Sequence, residues 1–140
     1  MRTVADTNVV VSGLLWHGPP RQVLDAARNG AVNLFTSAGL LAELEEVLSR
    51  EKFRERLRLA AVQPADLVSG YAALATVVRP SAISPVVLRD PDDDAVIACA
   101  IAASAAVIVS GDDDLLALKR HANIDILKPS EFVARIQAAD

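Results

Sequence analysis

Apolar positions along this chain follow two alternating rhythms. Short runs such as Arg2–Ala5 (RTVA), Asn33–Thr36 (NLFT), Val107–Val109 (VIV) and Ile124–Leu127 (IDIL) have the length and composition of strands. Longer stretches between them have helical spacing. Leu40, Leu41, Leu44, Val47 and Leu48 fall on one stripe, which predicts an amphipathic helix from an N-cap at Ser37 to about Ser49. On that helix Glu46 falls opposite the stripe, while Glu43 and Glu45 fall on its two borders. Val9 to Leu15 predicts a helical turn over the sheet, and Arg21 to Arg28 a helix opened by Pro20 and closed at Asn29-Gly30. Arg50 to Leu59 reads as a charged helix, and Pro64 with Asp66 opens another that reaches about Ala75. Thr76 to Arg79 is a further strand candidate. Pro80 to Pro85 is a loop, followed by apolar Val86 to Leu88. A short helix over Leu115 to Arg120 and a C-terminal helix over Pro129 to Ala138 complete the pattern. Strands alternating with helices imply a mostly parallel sheet covered on both faces.

The chain is organised around Arg89 to Leu118 (RDPDDDAVIACAIAASAAVIVSGDDDLLAL). Two acidic clusters, Asp90/Asp92/Asp93/Asp94 and Asp112/Asp113/Asp114, bracket an uncharged run. Its first half, Asp94 to Ala103, suits a helix and its second half a strand, and a run apolar on every side is expected to be buried whole. Asp6 follows the first strand and Asp112 follows Val107–Val109. Both therefore belong to the carboxyl ends of the strands, where open α/β sheets place their sites.

Composition narrows the possibilities. At 140 residues and 52% hydrophobic content, a single domain spanning residues 1–140 with a sizeable aliphatic core is expected. A net charge of −4 argues against gripping nucleic acid by bulk charge, but not against a local site. Cys99 is the only cysteine, which leaves no intramolecular disulfide and no thiolate cluster, and its place in the apolar run suits a small hydrophobe. The chain starts directly as a strand, and no apolar run reaches the roughly 20 residues of a membrane span. The expectation is a soluble, cytoplasmic protein with no membrane partner.

Each acid has a purely structural alternative. Asp6 could cap the helix after it, Glu43 could be a solvated helix residue, and Asp112 or Asp113 could cap Leu115 to Arg120. Asp90 could be an N-cap with Pro91 in the first helical position, Asp93 completing a capping box and Asp92 gaining from the helix dipole. Those roles leave Asp94 unexplained. Taken together, the acids point to a cation. Two carboxylates about 5 Å apart repel by roughly 3 kcal/mol at an effective dielectric of about 20. Converging acids stay ionised only around a cation. All-oxygen ligation selects Mg²⁺ or Mn²⁺, and such sites serve phosphoryl chemistry. Other chemistry is poorly supported. His17 and His121 are the only histidines and both read as structural. There is no G-x-S-x-G elbow, P-loop or G-x-G-x-x-G.

These residues resemble the PIN-domain ribonucleases. Asp6-Thr7-Asn8-Val9 is similar to that family's opening motif, Ser37 to Leu48 to its second, Asp90 to Asp94 running into AVIACAIA to its third, and IVSGDDDLL to its fourth. The order and spacing match along nearly the whole chain, most closely in the branch of type II toxin–antitoxin toxin components. The resemblance implies a three-layer α/β/α fold and assigns catalysis and metal binding to Asp6, Glu43, Asp94 and Asp112. Asn8, Ser110 and Asp114 match supporting positions, and Ser110 stands where many relatives have Thr. Asp93 and Asp94 compete for the third place. The spacing of Asp94 to Ile97-Ala98 fits the family pattern, and Asp93 has a capping role available, so Asp94 is chosen and Asp93 kept as supporting. The resemblance further implies Mg²⁺- or Mn²⁺-dependent RNA cleavage, a homodimer and an antitoxin that blocks the site. Two other readings compete with it. One is a non-catalytic interaction protein on the same scaffold. The other is a phosphorelay receiver-like domain, which needs a second acid at the first strand's end where this chain has Asp6 alone. The basic run Arg50, Lys52, Arg54, Arg56, Arg58 is read as a solvated or partner-binding face before a phosphate-binding one.

Overall fold

Strands that are apolar on both sides are stable only in a sheet covered on both faces, and β1 (Arg2–Ala5) and β4 (Val107–Val109) occupy the middle of one. The computed structural model describes residues 1–81 and 91–138. Among these, β3 (Thr76–Val78), β2 (Asn33–Ser37), β1, β4, β6 (Ile124–Leu127) and β5 (Arg120–His121) form one sheet in that spatial order. Only the β5–β6 pairing is antiparallel. The expected Asp90 N-cap, residues 82–85 of the expected loop, Val86 to Leu88 and Arg89 lie outside the described residues.

The register sorts side chains into two cores. Phe35, Val4, Ile108 and Ile126 stand opposite one another across four strands. All four belong to the core on the face that receives α6 (Pro91–Ala102) and α7 (Asp113–Leu118). Their chain neighbours Leu34, Ala5, Val107 and Val109 point to the other core. There they meet α1 (Thr7–Leu15), α2 (Pro19–Arg28), α3 (Ala38–Leu48), α5 (Pro64–Leu74) and α8 (Pro129–Ala138). The result is the expected three-layer α/β/α arrangement with a mostly parallel central sheet. Ser37 caps α3 as expected, its hydroxyl accepting from the Leu40 N–H at 3.2 Å. Among the described residues, no helix is long and apolar enough to cross a membrane.

Three local expectations need correction. The apolar run is not buried whole. Val96, Ile97, Cys99 and Ala100 are fully covered, but Ile101 is 42% exposed, because α6 is an outer-layer helix with one face on the sheet. Arg50 to Leu59 is not one helix: a 3₁₀ turn at Glu51–Phe53 precedes α4 (Arg54–Leu59), so that Phe53 and Leu57 both turn inward. The helix from Asp113 stops at Leu118, not Arg120. Lys119 adopts φ 58°, and the chain returns through Ala122 and Asn123 at φ 50° and 64°, which makes Arg120–His121 an edge strand. A two-residue turn with both central φ positive is the preferred hairpin connection, normally announced by Gly. His121 is thus half-buried in a strand pairing, not beyond a helix end.

The packing of α1 on α2 is close. A Cβ at Gly13 would sit 2.8 Å from the Pro20 carbonyl oxygen and 2.8 Å from Leu24 Cδ1. A main-chain oxygen cannot step aside as a side chain can. Gly13→Ala is therefore expected to lower the denaturation midpoint by the equivalent of about 1–3 kcal/mol, despite Ala's better helix propensity. An unchanged or raised midpoint in a urea titration would show that the two helices have room to separate.

Candidate metal centre

Buried polar side chains gather at the carboxyl edge of the sheet. Asp6 and Thr7 follow β1, Thr36 and Ser37 end β2, and Ser110 follows β4. Asp93, in the first turn of α6, is the other buried acid among the described residues. Parallel strands end together on this side, and the chain must leave each of them through a polar turn.

Asp6 is in the N-cap position of α1, yet its side chain makes no capping bond. The helix start is held by main chain instead, with the Asp6 carbonyl accepting from the N–H groups of Val9 and Val10. The Asp6 carboxylate turns inward, only 5% exposed, and accepts from the Ser110 hydroxyl at 2.8 Å. The same hydroxyl accepts from the Asp112 N–H at 2.9 Å. Ser110 therefore ties the acid after β1 to the turn that carries the acid after β4.

Asp112 does have the structural role considered for it. Its Oδ1 accepts from the N–H groups of Asp114 and Leu115, at 2.9 and 3.2 Å, and caps α7. The cap fixes the orientation of the carboxylate, so capping and metal binding are compatible. Asp93, Asp112 and Asp114 each offer a carboxylate oxygen within 4.8 Å of the other two. Asp93 is buried, and the other two are half-buried. At that spacing each ionised pair repels by roughly 3 kcal/mol. The donor set is all oxygen, and the closeness of the three groups fits a hard divalent cation.

The remaining sequence candidates lie on α1, α3 and α6. Glu43 is half-buried on α3, as its border position predicts, while Glu45 and Glu46 are exposed. Asp94 is half-buried on α6 and stands outside the group of three. Asn8 is exposed and lines a cavity of about 420 Å³ together with Ser12, Gly111, Asp112 and Asp113. The burial of Asp93 beside Asp112 and Asp114 has a signal in the sequence. Asp93, Val96, Ile97 and Ala100 lie at i, i+3, i+4 and i+7, and all four are buried. The same spacing from Asp94 meets buried Ile97, half-buried Ala98 and exposed Ile101. The basic run, by contrast, is largely committed locally. Arg50, Arg54 and Arg58 pair with Glu46, Glu51 and Glu55, Arg56 donates to the Leu15 carbonyl, and Lys52 lies over Phe53.

Comparison with known proteins places this geometry. A family model described as the PIN domain matches residues 2–114. No curated protein matches. Among solved structures, the fold is similar to that of VapBC2 from Rickettsia felis, crystallised with a DNA fragment from its promoter. That match has 18% identity, a TM-score of 0.59, and covers 90% of this chain and 97% of that one. The T. brucei RRP44 PIN domain also aligns, at 16% identity and a TM-score of 0.49, over 98% of this chain and 81% of that one. With its motifs in order, its strand-end acids and a matched region that runs from β1 into α7, this chain belongs to the PIN domain family.

Proposed function

We propose that this protein is a metal-dependent endoribonuclease, acting as a single cytoplasmic domain and serving as the toxin of a type II toxin–antitoxin pair. The observation that carries the reading is the convergence of Asp93, Asp112 and Asp114 within 4.8 Å, beside the buried carboxylate of Asp6. We assign these residues to a Mg²⁺ or Mn²⁺ ion, with Asp94 and Glu43 flanking it on α6 and α3. When bound, such an ion lowers the pKa of a coordinated water and neutralises charge on a phosphodiester.

The chain's own residues supply placement. Ser110 holds the Asp6 carboxylate and the Asp112 main chain in one fixed relation. The α7 cap holds Asp112 Oδ1, so the carboxylate loses little conformational freedom on engaging a ligand. Asp6, as a buried carboxylate, favours positive charge at this edge of the sheet. Glu43 is assigned to orient the attacking water, and Asn8, on the cavity wall, to meet the substrate. A protein of net charge −4 repels RNA at long range, so binding falls to local contacts. A homodimer and a blocking antitoxin complete the proposal, in keeping with the family resemblance and with a fold shared with VapBC2.

Metal binding and folding are linked, so saturating Mn²⁺ is expected to raise the melting temperature of the wild-type protein. Asp112→Asn keeps a good capping side chain but removes one charge. Its apo form is expected to melt at or above the wild-type temperature, with the Mn²⁺ increment reduced to a small fraction. An equal Mn²⁺ increment in both proteins, measured by calorimetry, would contradict the assignment. The same substitution is expected to lower cleavage of a single-stranded RNA by at least about a hundredfold while far-UV circular dichroism stays unchanged. Cleavage that survives both the substitution and excess chelator would contradict metal-dependent catalysis at this site, whereas absence of any Mn²⁺ increment in the wild-type protein, with no cleavage, would favour the non-catalytic interaction protein.

A further inference from the structure

The acid cluster accounts for the reacting centre but not for how a polyanion is held beside it. Cations to do so are scarce. Three arginines donate to main-chain carbonyls, six pair with carboxylates, and Lys52 lies over an aromatic ring. Among the described residues, Arg79, Lys119 and Lys128 have side chains in none of these arrangements. Of the three, only Lys128 lines a cavity that adjoins the site.

Its place is set by the register. Ala5 stands opposite Val109, and Val109 opposite Leu127. The next residues along β1, β4 and β6 are Asp6, Ser110 and Lys128, one row across three neighbouring strands, each about 5 Å from the next. The Ser110 N–H donates to the Leu127 carbonyl at 2.9 Å, which holds this row together. An acid, a hydroxyl and an exposed cation thus succeed one another along the sheet edge. Lys128 and residues that follow each member of this row line a groove. Two cavities of about 420 Å³ each share Pro20, Gly111, Asp113 and Pro129. One reaches Asn8 and Asp112, and the other reaches Lys128 and Ser130. Gly111 keeps the groove open: a Cβ there would meet no atom within 4 Å.

We infer that this groove carries the RNA single strand away from the reacting centre, with Lys128 holding a phosphate next to or near the scissile one. The inference rests on the nuclease reading for its substrate class. Among the described residues, proline faces, small polar groups, Val9 and Leu116 line the groove, with none of the large aromatic rings that give tight single-strand binding. Asp113, also in the lining, repels phosphate and leaves Lys128 as the attractive end. The grip is therefore weak, independent of base sequence and sensitive to salt.

The test measures binding of a fluorescein-labelled single-stranded RNA by anisotropy across a salt series in Ca²⁺. Wild type, Lys128→Ala and Lys119→Ala are compared, with cleavage in Mn²⁺ assayed separately. Loss of one phosphate contact reduces the slope of log affinity against log salt by about 0.7. Lys128→Ala is expected to show that loss and several-fold weaker binding, with KM raised and kcat retained, while Lys119→Ala matches wild type. An unchanged slope and affinity in Lys128→Ala, or an equal loss in Lys119→Ala, overturns the groove assignment even if wild type cleaves RNA. A Lys128-dependent slope in a protein that cleaves nothing sustains the groove and removes the nuclease reading instead. Gly111→Leu supplies an independent check. It should fill the groove and weaken binding of long strands without loss of thermal stability, and undiminished binding of long strands would also count against the path.

Discussion

Repulsion among Asp93, Asp112 and Asp114 is the constraint that the rest of the structure serves. Carboxylate oxygens within 4.8 Å of one another, one of them on a buried side chain, repel one another, and a divalent cation among them relieves that repulsion. The fold nevertheless brings them together and holds them there. It does so with elements that are stable for other reasons: α6 is anchored by Val96, Ile97 and Ala100 against the sheet, and α7 by Leu115. The apolar contacts of two short helices thus oppose an electrostatic penalty at their N-terminal ends. Each helix start contributes a partial positive charge that softens the penalty.

The parallel sheet makes this arrangement possible. All its pairings except β5–β6 run the same way, so the turns after β1 and β4 open on one edge. Ser110 converts that proximity into a fixed geometry, because one hydroxyl serves the Asp6 carboxylate and the Asp112 N–H at once. The side chain of Ser110 is fully buried, away from bulk solvent. The two cores on either side of the sheet keep the strands in register, and the register in turn sets Asp6, Ser110 and Lys128 in a row.

Much of this was legible from residues alone. The alternation of strand and helix, the Ser37 cap and the placing of Asp6 and Asp112 at strand ends are all consequences of local rules. The misreadings have physical causes. The Ala122-Asn123 turn carries no glycine, so the edge strand at Arg120–His121 gave no local signal. Ile101 sits in an apolar run that reads as buried on all sides, but an outer helix covers only one face. Between the two adjacent acids, motif spacing favours Asp94, while the buried stripe of α6, extended back by one turn, includes Asp93. Lys128 acquires meaning only through pairing of β6 with β4, a long-range register that no local pattern encodes.

The central claim is that a divalent cation is held where Asp93, Asp112 and Asp114 meet. Its most direct test is the electron paramagnetic resonance of Mn²⁺ titrated into the wild-type protein, Asp93→Asn and Asp94→Asn. The free-ion signal should be lost on stoichiometric binding to wild type, persist with Asp93→Asn, and be lost at only moderately higher protein concentration with Asp94→Asn. A full free-ion signal with the wild-type protein, or binding undisturbed by Asp93→Asn, would contradict the account.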